Sequence, residues 1–191
     1  MRYLLVGLLA VVATGTVTAV SGSRLGAPPP PVRGQFVNIE PTSGTTFYRT
    51  PGGQRVPLTN EIRVPVNTVV DATHGRMGLT SANGAADFYD GAFVVREPKT
   101  GPTQLWLAAE HPSKCTSGSK AVVGQLWGDG RGRFQTRGKY GAATVRGTNW
   151  LVQDRCDGTL VKVVQGVVAV RDFTLGKTVL VTAGHSYLAR R

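Results

Sequence analysis

The chain from residue 35 onward alternates apolar and polar positions over short segments, which glycine, proline, asparagine and aspartate separate. Val179 and Val181, for example, occupy alternate positions between Thr178 and Thr182. A period of two is typical of strands with one buried face, and no stretch keeps the helical period of about 3.6 residues. The pattern therefore predicts an all-β domain over residues 35–191.

Several further segments have the β-branched and aromatic composition of strands. Their apolar residues are Ile62, Val64, Val66, Val69–Val70, Phe88, Phe93–Val95, Leu105–Leu107, Val161–Val163 and Val167–Val170. Turns are predicted at Pro51-Gly52-Gly53, Asn83-Gly84 and Asp157-Gly158, because glycine tolerates the positive φ of a tight turn. Many short strands with turns about every 8–12 residues favour either a twisted two-layer sandwich or a solenoid-like β stack.

Residues 1–20 have the pattern of a secretory signal peptide. Arg2 precedes the apolar run Tyr3–Ala13, and small residues follow this run. Val17-Thr18-Ala19 and Ala19-Val20-Ser21 both fit a small-x-small cleavage site. An uncleaved membrane anchor is the alternative, although a full span needs about 20 apolar residues. Either interpretation predicts an exported protein that is secreted or associated with the cell envelope.

Residues 21–34 are predicted to form a proline-rich linker between the signal segment and the β domain. The run Pro28-Pro29-Pro30-Pro31 fixes φ at four successive positions, which favours an extended polyproline rod. Such a semi-rigid spacer suits a domain that is held away from a membrane or a wall.

Composition changes this picture mainly through charge. Lysine and arginine number 22 against 11 aspartate and glutamate residues, so the formal net charge is +11. An excess of this size favours anionic partners. Apolar residues make up 41 %, which is enough to bury a core. The composition therefore argues against a coiled coil, a disordered acidic tail and a multi-span membrane protein.

Basic residues between positions 131 and 146 form the clearest candidate binding surface. These residues are Arg131, Arg133, Arg137 and Lys139, followed by Arg146. Because the first four are two or four positions apart, a continuous strand would place them on one face, with no aromatic residue among them. Such a face can hold a polyanion, namely a wall polymer, an acidic lipid or a nucleic acid, and export disfavours the nucleic acid. The alternative is a solvated face whose charge prevents edge pairing.

Cys115 and Cys156 are the two cysteines of the chain. An even number of cysteines in an exported protein predicts a disulfide, and two free thiols are the alternative. The bond would close a loop of about 40 residues, for which the chain-entropy model gives a stabilisation of about 4 kcal/mol.

Groups with catalytic or metal-binding potential are few. His185 in Thr182-Ala183-Gly184-His185 matches the catalytic-histidine segment of trypsin-like proteases, but no aspartate or Gly-Asp-Ser-Gly segment follows it. Neither the three histidines nor the candidate carboxylates have the spacing of a zinc site or of a paired-carboxylate hydrolase. These residues are His74, His111 and His185, and Asp87, Asp90 and Glu97. The sequence therefore predicts no enzymatic activity, no metal and no cofactor.

The segment Ala143–Val152, with the sequence A-T-V-R-G-T-N-W-L-V, resembles the A-x-V-R-G-T-x-F/W-x-V motif of FecR-like domains. Gln165–Val170 is similar to the next strand of that family, and Val179–His185 is similar to its closing strand and turn. Val64–Ala72 is similar to its opening part. The resemblance covers roughly residues 37–189.

This resemblance implies an all-β extracytoplasmic domain that is used for signalling or binding and has no catalytic residues. Regulators of this family carry a cytoplasmic segment that handles a sigma factor, whereas only Met1 and Arg2 precede the apolar run here. We therefore expect a stand-alone exported form, a non-enzymatic binding or structural module at the cell envelope. Its partner would be an envelope polymer or a protein. A polyanion-binding adhesin that uses residues 131–146 is the second hypothesis, and a hydrolase of wall or polypeptide substrates is the third.

Overall fold

A computed structural model describes residues 26–108, 115–116 and 119–191. Within these ranges the chain forms fifteen strands and no helix, which confirms the predicted all-β class. No helix that could cross a membrane is found among the same residues. The predicted signal peptide, residues 1–20, lies outside the described residues.

The strands are numbered in chain order, and most of them contain one of the predicted apolar segments. Their bounds are β1 Phe36–Arg49, β2 Val56–Pro57, β3 Ile62–Pro65, β4 Val69–Ser81, β5 Gly84–Tyr89, β6 Ala92–Arg96, β7 Thr103–Leu107, β8 Val122–Gly132, β9 Phe134–Arg137, β10 Gly141–Val145, β11 Thr148–Arg155, β12 Gly158–Gln165, β13 Val167–Asp172, β14 Lys177–Thr182 and β15 Ser186–Arg190. Strands β1, β4 and β8 are longer than the sequence pattern predicted.

All the strands belong to one sheet, which divides at β4. One edge of β4 pairs with β1, and the other edge pairs first with β6 and then with β5. The first arm continues from β6 through β7, β9, β10 and β13 to β14, and the second continues from β5 through β8, β11 and β12 to β15. All these pairs are antiparallel except β7 with β9. The two arms enclose one core in a nearly closed, barrel-like arrangement.

Four buried aromatic side chains join the two arms in the core. Phe88 lies at the centre, with ring centroids 5.5 Å from Phe93, 5.6 Å from Phe134 and 6.0 Å from Trp150. Phe88 and Trp150 belong to the second arm, and Phe93 and Phe134 belong to the first. Each tilted or edge-to-face pair contributes about 0.5–1.5 kcal/mol beyond the area that it buries. The cluster therefore stabilises the contact between the arms.

The indole of Trp150 also makes a polar link across the core. Its Nε1–H donates to Thr136 Oγ1 at 3.1 Å, and both side chains are fully buried. Gly128 is the register partner of Trp150 on β8, and a Cβ at that position would overlap the indole ring. A glycine inside a strand is therefore needed here for the close approach of the ring.

Asp154 on β11 joins the turn between β9 and β10 to the second arm. Its carboxylate accepts the Lys139 backbone N–H at 2.9 Å and the Thr159 hydroxyl at 2.6 Å. The Tyr140 N–H in turn donates to Thr159 Oγ1 at 2.9 Å. These bonds fix the position of the chain directly after Arg137.

Asp172 and Tyr187 make a third link between the arms, from β13 to β15. The Tyr187 hydroxyl donates to the Asp172 carboxylate at 2.8 Å, and the Leu175 N–H donates to the same carboxylate at 2.8 Å. Burial alone would raise the pKa of Asp172, but these hydrogen bonds outweigh it and hold the pKa below its ordinary value. Burial raises the pKa of Tyr187, and its hydrogen bond to Asp172 adds to this effect.

The described part of the proline-rich linker contacts the domain. The Asn38 side-chain amide donates to the Pro29 carbonyl at 3.1 Å, and the Gly34 N–H donates to the Glu97 carboxylate at 3.2 Å. Arg33 donates to Asn83 Oδ1 at 3.0 Å. The linker is therefore attached to the end of the domain at which β1 begins.

We expect Thr136→Val to lower the free energy of unfolding by about 1–3 kcal/mol, because it leaves the buried Trp150 N–H without an acceptor. Urea denaturation at neutral pH measures this loss. Thr46→Val is the matched control, since the Thr46 hydroxyl is buried without a hydrogen-bond partner among the described residues. The control should retain or increase stability. Equal losses in both variants would contradict the role of the Trp150 bond.

The lowered pKa of Asp172 predicts acid sensitivity. Because the folded-state pKa lies below the unfolded value of about 3.9, the ionised carboxylate stabilises the fold above that value. This contribution is lost as the pH falls through the folded-state pKa. We expect Asp172→Asn to be less stable than the wild type at neutral pH and to show a flatter decline below about pH 4. Urea titrations at several pH values test this, and parallel declines would contradict it.

Candidate functional site

The outward side of the first arm carries a row of residues that are register partners on eight successive strands. The row is Arg49, Val69, Val94, Trp106, Arg137, Ala142, Arg171 and Thr178. The chain neighbours of these residues, including Val70, Leu105, Thr136 and Val170, are fully buried in the core. Since side chains alternate along a strand, the row lies on the outward side, although Ala142 itself is buried with 1 % exposure. We call this row, together with Arg96 and Phe173, the arginine face.

Aromatic rings hold two guanidinium groups of the arginine face. The Arg137 guanidinium lies 4.7 Å from the ring centroid of Trp106 and 4.4 Å from that of Phe173. The Arg96 guanidinium lies 3.9 Å from the Trp106 centroid. Cation–π contacts at exposed sites contribute about 0.5–1 kcal/mol each. Their main consequence here is to position the donor groups, because a stacked guanidinium keeps its N–H edge available for a ligand.

The charges of the arginine face are not neutralised by described residues. The four ion pairs of the described chain involve Arg55, Arg76 and Arg155. Within the same part of the chain, no carboxylate lies within ion-pair distance of Arg49, Arg96, Arg137 or Arg171. Several like charges without counter-charges create a positive potential that attracts anions.

A cleft of about 650 Å³ opens at the β1 end of the arginine face. Its lining is partly apolar, with Val69 and Val94, and partly charged. The Arg55 guanidinium lies 3.5 Å from the Phe47 ring centroid and pairs with Asp71 at 2.6 Å. A cleft of this volume is within the size range of small-molecule sites, about 300–1,000 Å³.

A smaller cleft of about 300 Å³ lies on the other side of Trp106. Its lining includes Arg137, Lys139 and Asp154. Trp106 therefore separates two recesses, and both contain a cation and an apolar surface. This arrangement can hold an anionic ligand that also has an apolar side.

The predicted basic strand is divided in the structure, so the expectation of one continuous strand was wrong. Strand β8 ends at Gly132, and β9 extends only from Phe134 to Arg137, so Lys139 lies beyond it. The break occurs at Arg133, whose N–H donates to the Asn83 carbonyl and whose carbonyl accepts the Thr103 N–H. The chain passes there from the second arm to the first.

The five predicted cations consequently form two groups. Arg137 and Lys139 lie at one end of β9, beside Trp106. Arg131, Arg133 and Arg146 lie towards the other end of β9, because Val145 of β10 is the register partner of Phe134. Arg131 there lines a cleft with Asp129 and Gly147. Four of the five predicted cations are exposed, as expected when the side chains of the segment alternate between the core and the solvent. They are Arg131, Arg133, Lys139 and Arg146.

Sequence reasoning missed Arg96, Trp106, Arg171 and Phe173. It also predicted that no aromatic residue lies beside the basic residues, whereas Trp106 and Phe173 contact Arg137. The parallel pairing of β7 with β9 brings Trp106 to Arg137, and no local pattern in the sequence indicates that pairing. The available signal was the polar residue Gln104, two positions before Trp106, since residues two apart on a strand share a face.

Cys115 and Cys156 form the predicted disulfide, with Cα atoms 5.3 Å apart and a sequence separation of 41. Cys156 lies in the turn between β11 and β12, so the bond attaches the segment after β7 to the second arm. A structural disulfide is consistent with an oxidising, extracytoplasmic compartment.

Among the candidate catalytic residues, His74 and Asp90 line one cleft, and His185 and Glu97 lie elsewhere in the fold. His185 is exposed, and its Nδ1 contacts Thr182 Oγ1 at 3.2 Å and the Ala183 carbonyl at 3.1 Å. Glu97 is buried and accepts a hydrogen bond from Thr103 at 2.9 Å. His111 lies outside the described residues, and among those described no group of three potential metal ligands occurs.

The outward side of the second arm provides a contrast to the arginine face. Tyr89 and Trp127 stack there with centroids 6.0 Å apart, and Arg76 lies over Tyr89. Arg76 pairs with Asp87 at 2.7 Å and with Asp129 at 3.2 Å. The hydrogen bond to Asp87, above all, raises the pKa of Arg76. The cation on this side is therefore neutralised, unlike those of the arginine face.

The segments that resemble FecR-like domains lie on β10 and β11, at the junction of β12 and β13, and on β14 with the turn after it. Compared with protein-family models, with curated proteins and with solved structures, the chain matches none significantly. The function is therefore argued from the geometry of the described residues.

Proposed function

We propose that this chain is a non-enzymatic binding module of the cell envelope and that it holds an anionic polymer on its arginine face. The observation that carries the proposal is the placement of Arg137 over both Trp106 and Phe173, with no described carboxylate within ion-pair distance. A guanidinium that is fixed in this way offers its N–H edge to a ligand anion.

The extent of the arginine face favours a polymer over a small ligand. Along the sheet, which curves around the core, Arg49 and Arg171 are six strand spacings apart, a path of about 29 Å over the surface. A small molecule occupies one recess, whereas a chain of this length contacts all the guanidinium groups together. Each exposed charge contact contributes only about 0.2–1 kcal/mol, so useful affinity requires several of them.

The envelope is the proposed location because three features agree with it. The N-terminal pattern predicts export, the disulfide is consistent with an oxidising compartment, and the net charge of +11 favours anionic surroundings. Wall polymers and other envelope polyanions are available there, and nucleic acid is not the expected partner.

The FecR-like resemblance supports a binding role in the same proposal. Its matching segments include part of β13, the strand of Arg171, and part of β10, the neighbour of the strand that carries Arg137, and it implies a module without catalytic residues. On this basis the chain is an exported domain of the FecR-like type. Binding of the polymer would be the function of this domain, and a protein partner is the second candidate ligand.

The other basic group, Arg131, Arg133 and Arg146, is the less favoured site for a polyanion. Unlike Arg137, none of these three guanidinium groups is positioned by an aromatic ring among the described residues. Variants of this group serve as a control, because they change the net charge by the same amount as the variants of the arginine face.

We expect the purified mature protein to co-sediment with cell-envelope material and to be released by salt. Raising the ionic strength from about 0.1 M to about 1 M shortens the Debye length from about 10 Å to about 3 Å. The double variant Arg137→Gln, Arg171→Gln should bind about tenfold more weakly, since two contacts of about 0.7 kcal/mol each are lost.

The control is Arg131→Gln, Arg146→Gln, which removes the same charge and should retain most of the binding. Circular dichroism and thermal unfolding establish that both variants are folded. Equal losses in the two variants would contradict the arginine face as the site. Binding that salt does not weaken would contradict an anionic ligand.

A further inference from the structure

The larger cleft, at the β1 end of the arginine face, lies where the sheet divides. Strand β4 pairs with β6 only from Val69 to Asp71, before it continues with β5. Two of the residues that line the cleft are small, namely Ala92 on β6 and Ala108 after β7, and the Ala108 N–H donates to the Ala92 carbonyl at 2.9 Å. Because these side chains are short, a recess of about 650 Å³ remains beside the larger side chains of β1.

Most of the side chains around this recess are apolar. Val69 and Val94 are register partners on β4 and β6, and both line the cleft as half-buried side chains. Phe47 lies beside them on β1, as the register partner of Asp71. A concave apolar surface of this size favours an organic ligand whose own apolar body is buried on binding.

Two guanidinium groups line the same cleft, and they differ in their partners. The Arg55 guanidinium lies 3.5 Å from the Phe47 ring centroid and pairs with Asp71 at 2.6 Å, so both contacts fix its position. The Arg55 side chain is nevertheless 54 % exposed, so the face of the guanidinium turned away from Phe47 is open to a planar group. Arg49 is exposed, and no carboxylate of the described chain lies within ion-pair distance of it.

We infer that this cleft is a site for a small aromatic carboxylate. The inference goes beyond the proposed function, which concerns a polymer along the whole arginine face. The carboxylate accepts hydrogen bonds from the Arg49 guanidinium, whose paired N–H donors match a planar anion. The aromatic ring stacks on the open face of the Arg55 guanidinium and packs on Val69 and Val94. His74 also lines the cleft and supplies a ring nitrogen that can donate to the carboxylate.

The charges in the cleft favour this ligand over others of the same size. Arg49 repels a cation, and Asp71, the one carboxylate among the described lining residues, already pairs with Arg55. A neutral ligand gains the apolar contacts but leaves Arg49 without a partner anion. A dianion places its second charge beside apolar side chains, where nothing compensates for the loss of hydration. One carboxylate on an apolar body therefore matches the lining best.

Titration of the ¹⁵N-labelled mature protein with three small probes, followed by ¹H–¹⁵N correlation spectra, tests the inference. The probes are 2-naphthoate, the neutral 2-naphthamide of the same shape, and acetate, which has the charge without the ring. We expect 2-naphthoate to bind with a Kd of about 1 mM, the value for a ligand of this size, and to shift the amide signals of Val69, Val94 and Ala108. The amide should bind about fivefold more weakly, and acetate should cause no saturable shift.

Two pairs of variants separate the charge of the cleft from its volume. Arg49→Gln should weaken 2-naphthoate binding about fivefold, whereas Arg146→Gln, which removes the same charge outside the cleft, should not change it. Ala108→Phe fills the recess and should abolish binding. Its control is Ala85→Phe, which adds the same ring at an exposed position of β5 outside the cleft. The dispersion of each spectrum verifies that the variant is folded.

The outcomes separate this inference from the proposed function. Equal affinities for 2-naphthoate and 2-naphthamide, shifts that lie elsewhere, or unchanged binding in folded Ala108→Phe would overturn the aromatic carboxylate site. If Ala108→Phe does not fold, the comparison of the two probes and the effect of Arg49→Gln still decide the question. Folded Ala108→Phe should still co-sediment with envelope material, because the cleft is not the polymer site. Loss of 2-naphthoate binding alone therefore leaves the proposed function standing.

Discussion

The contact between the two arms of the sheet is the constraint on which the rest of the structure depends. Phe88 and Trp150 of the second arm pack on Phe93 and Phe134 of the first, and Trp150 donates to Thr136 inside the core. Because side chains alternate along a strand, burial of one residue determines the outward position of the next. Thr136 in the core therefore places Arg137 outside, and the position of the arginine face follows from the packing of the core.

Stability and binding are separated between the two sides of the first arm. The inward side contributes apolar burial, aromatic packing and one buried hydrogen bond. The outward side contributes cation–π contacts of about 0.5–1 kcal/mol each, so each of its arginine residues contributes little to the free energy of folding. Arg76 on the second arm shows the opposite arrangement, since Asp87 and Asp129 neutralise it. Under the proposed function, the unneutralised charges of Arg137 and Arg171 serve a ligand rather than the fold.

Much of the local structure could be predicted from the sequence, because strands, tight turns and the disulfide depend on local patterns and on the number of cysteines. Asp157-Gly158 and Asn83-Gly84 both lie at hairpin connections. The site could not be predicted, because its residues meet through long-range pairing. Trp106 and Arg137 are brought together by the parallel pair β7 and β9, and Arg171 by β10 with β13. The break at Arg133 depends on backbone hydrogen bonds to Asn83 and Thr103, which no local spacing indicates.

The most direct test of this account uses the three tryptophan residues as separate reporters. Trp106 lies on the arginine face, Trp127 on the outward side of the second arm and Trp150 in the core. An ¹⁵N-labelled sample titrated with an inorganic polyphosphate, as a soluble anionic polymer, shows one indole N–H signal for each. The account predicts that the Trp106 signal shifts with saturation while those of Trp127 and Trp150 stay in place. A shift of Trp127 with none at Trp106 would contradict the arginine face as the binding site.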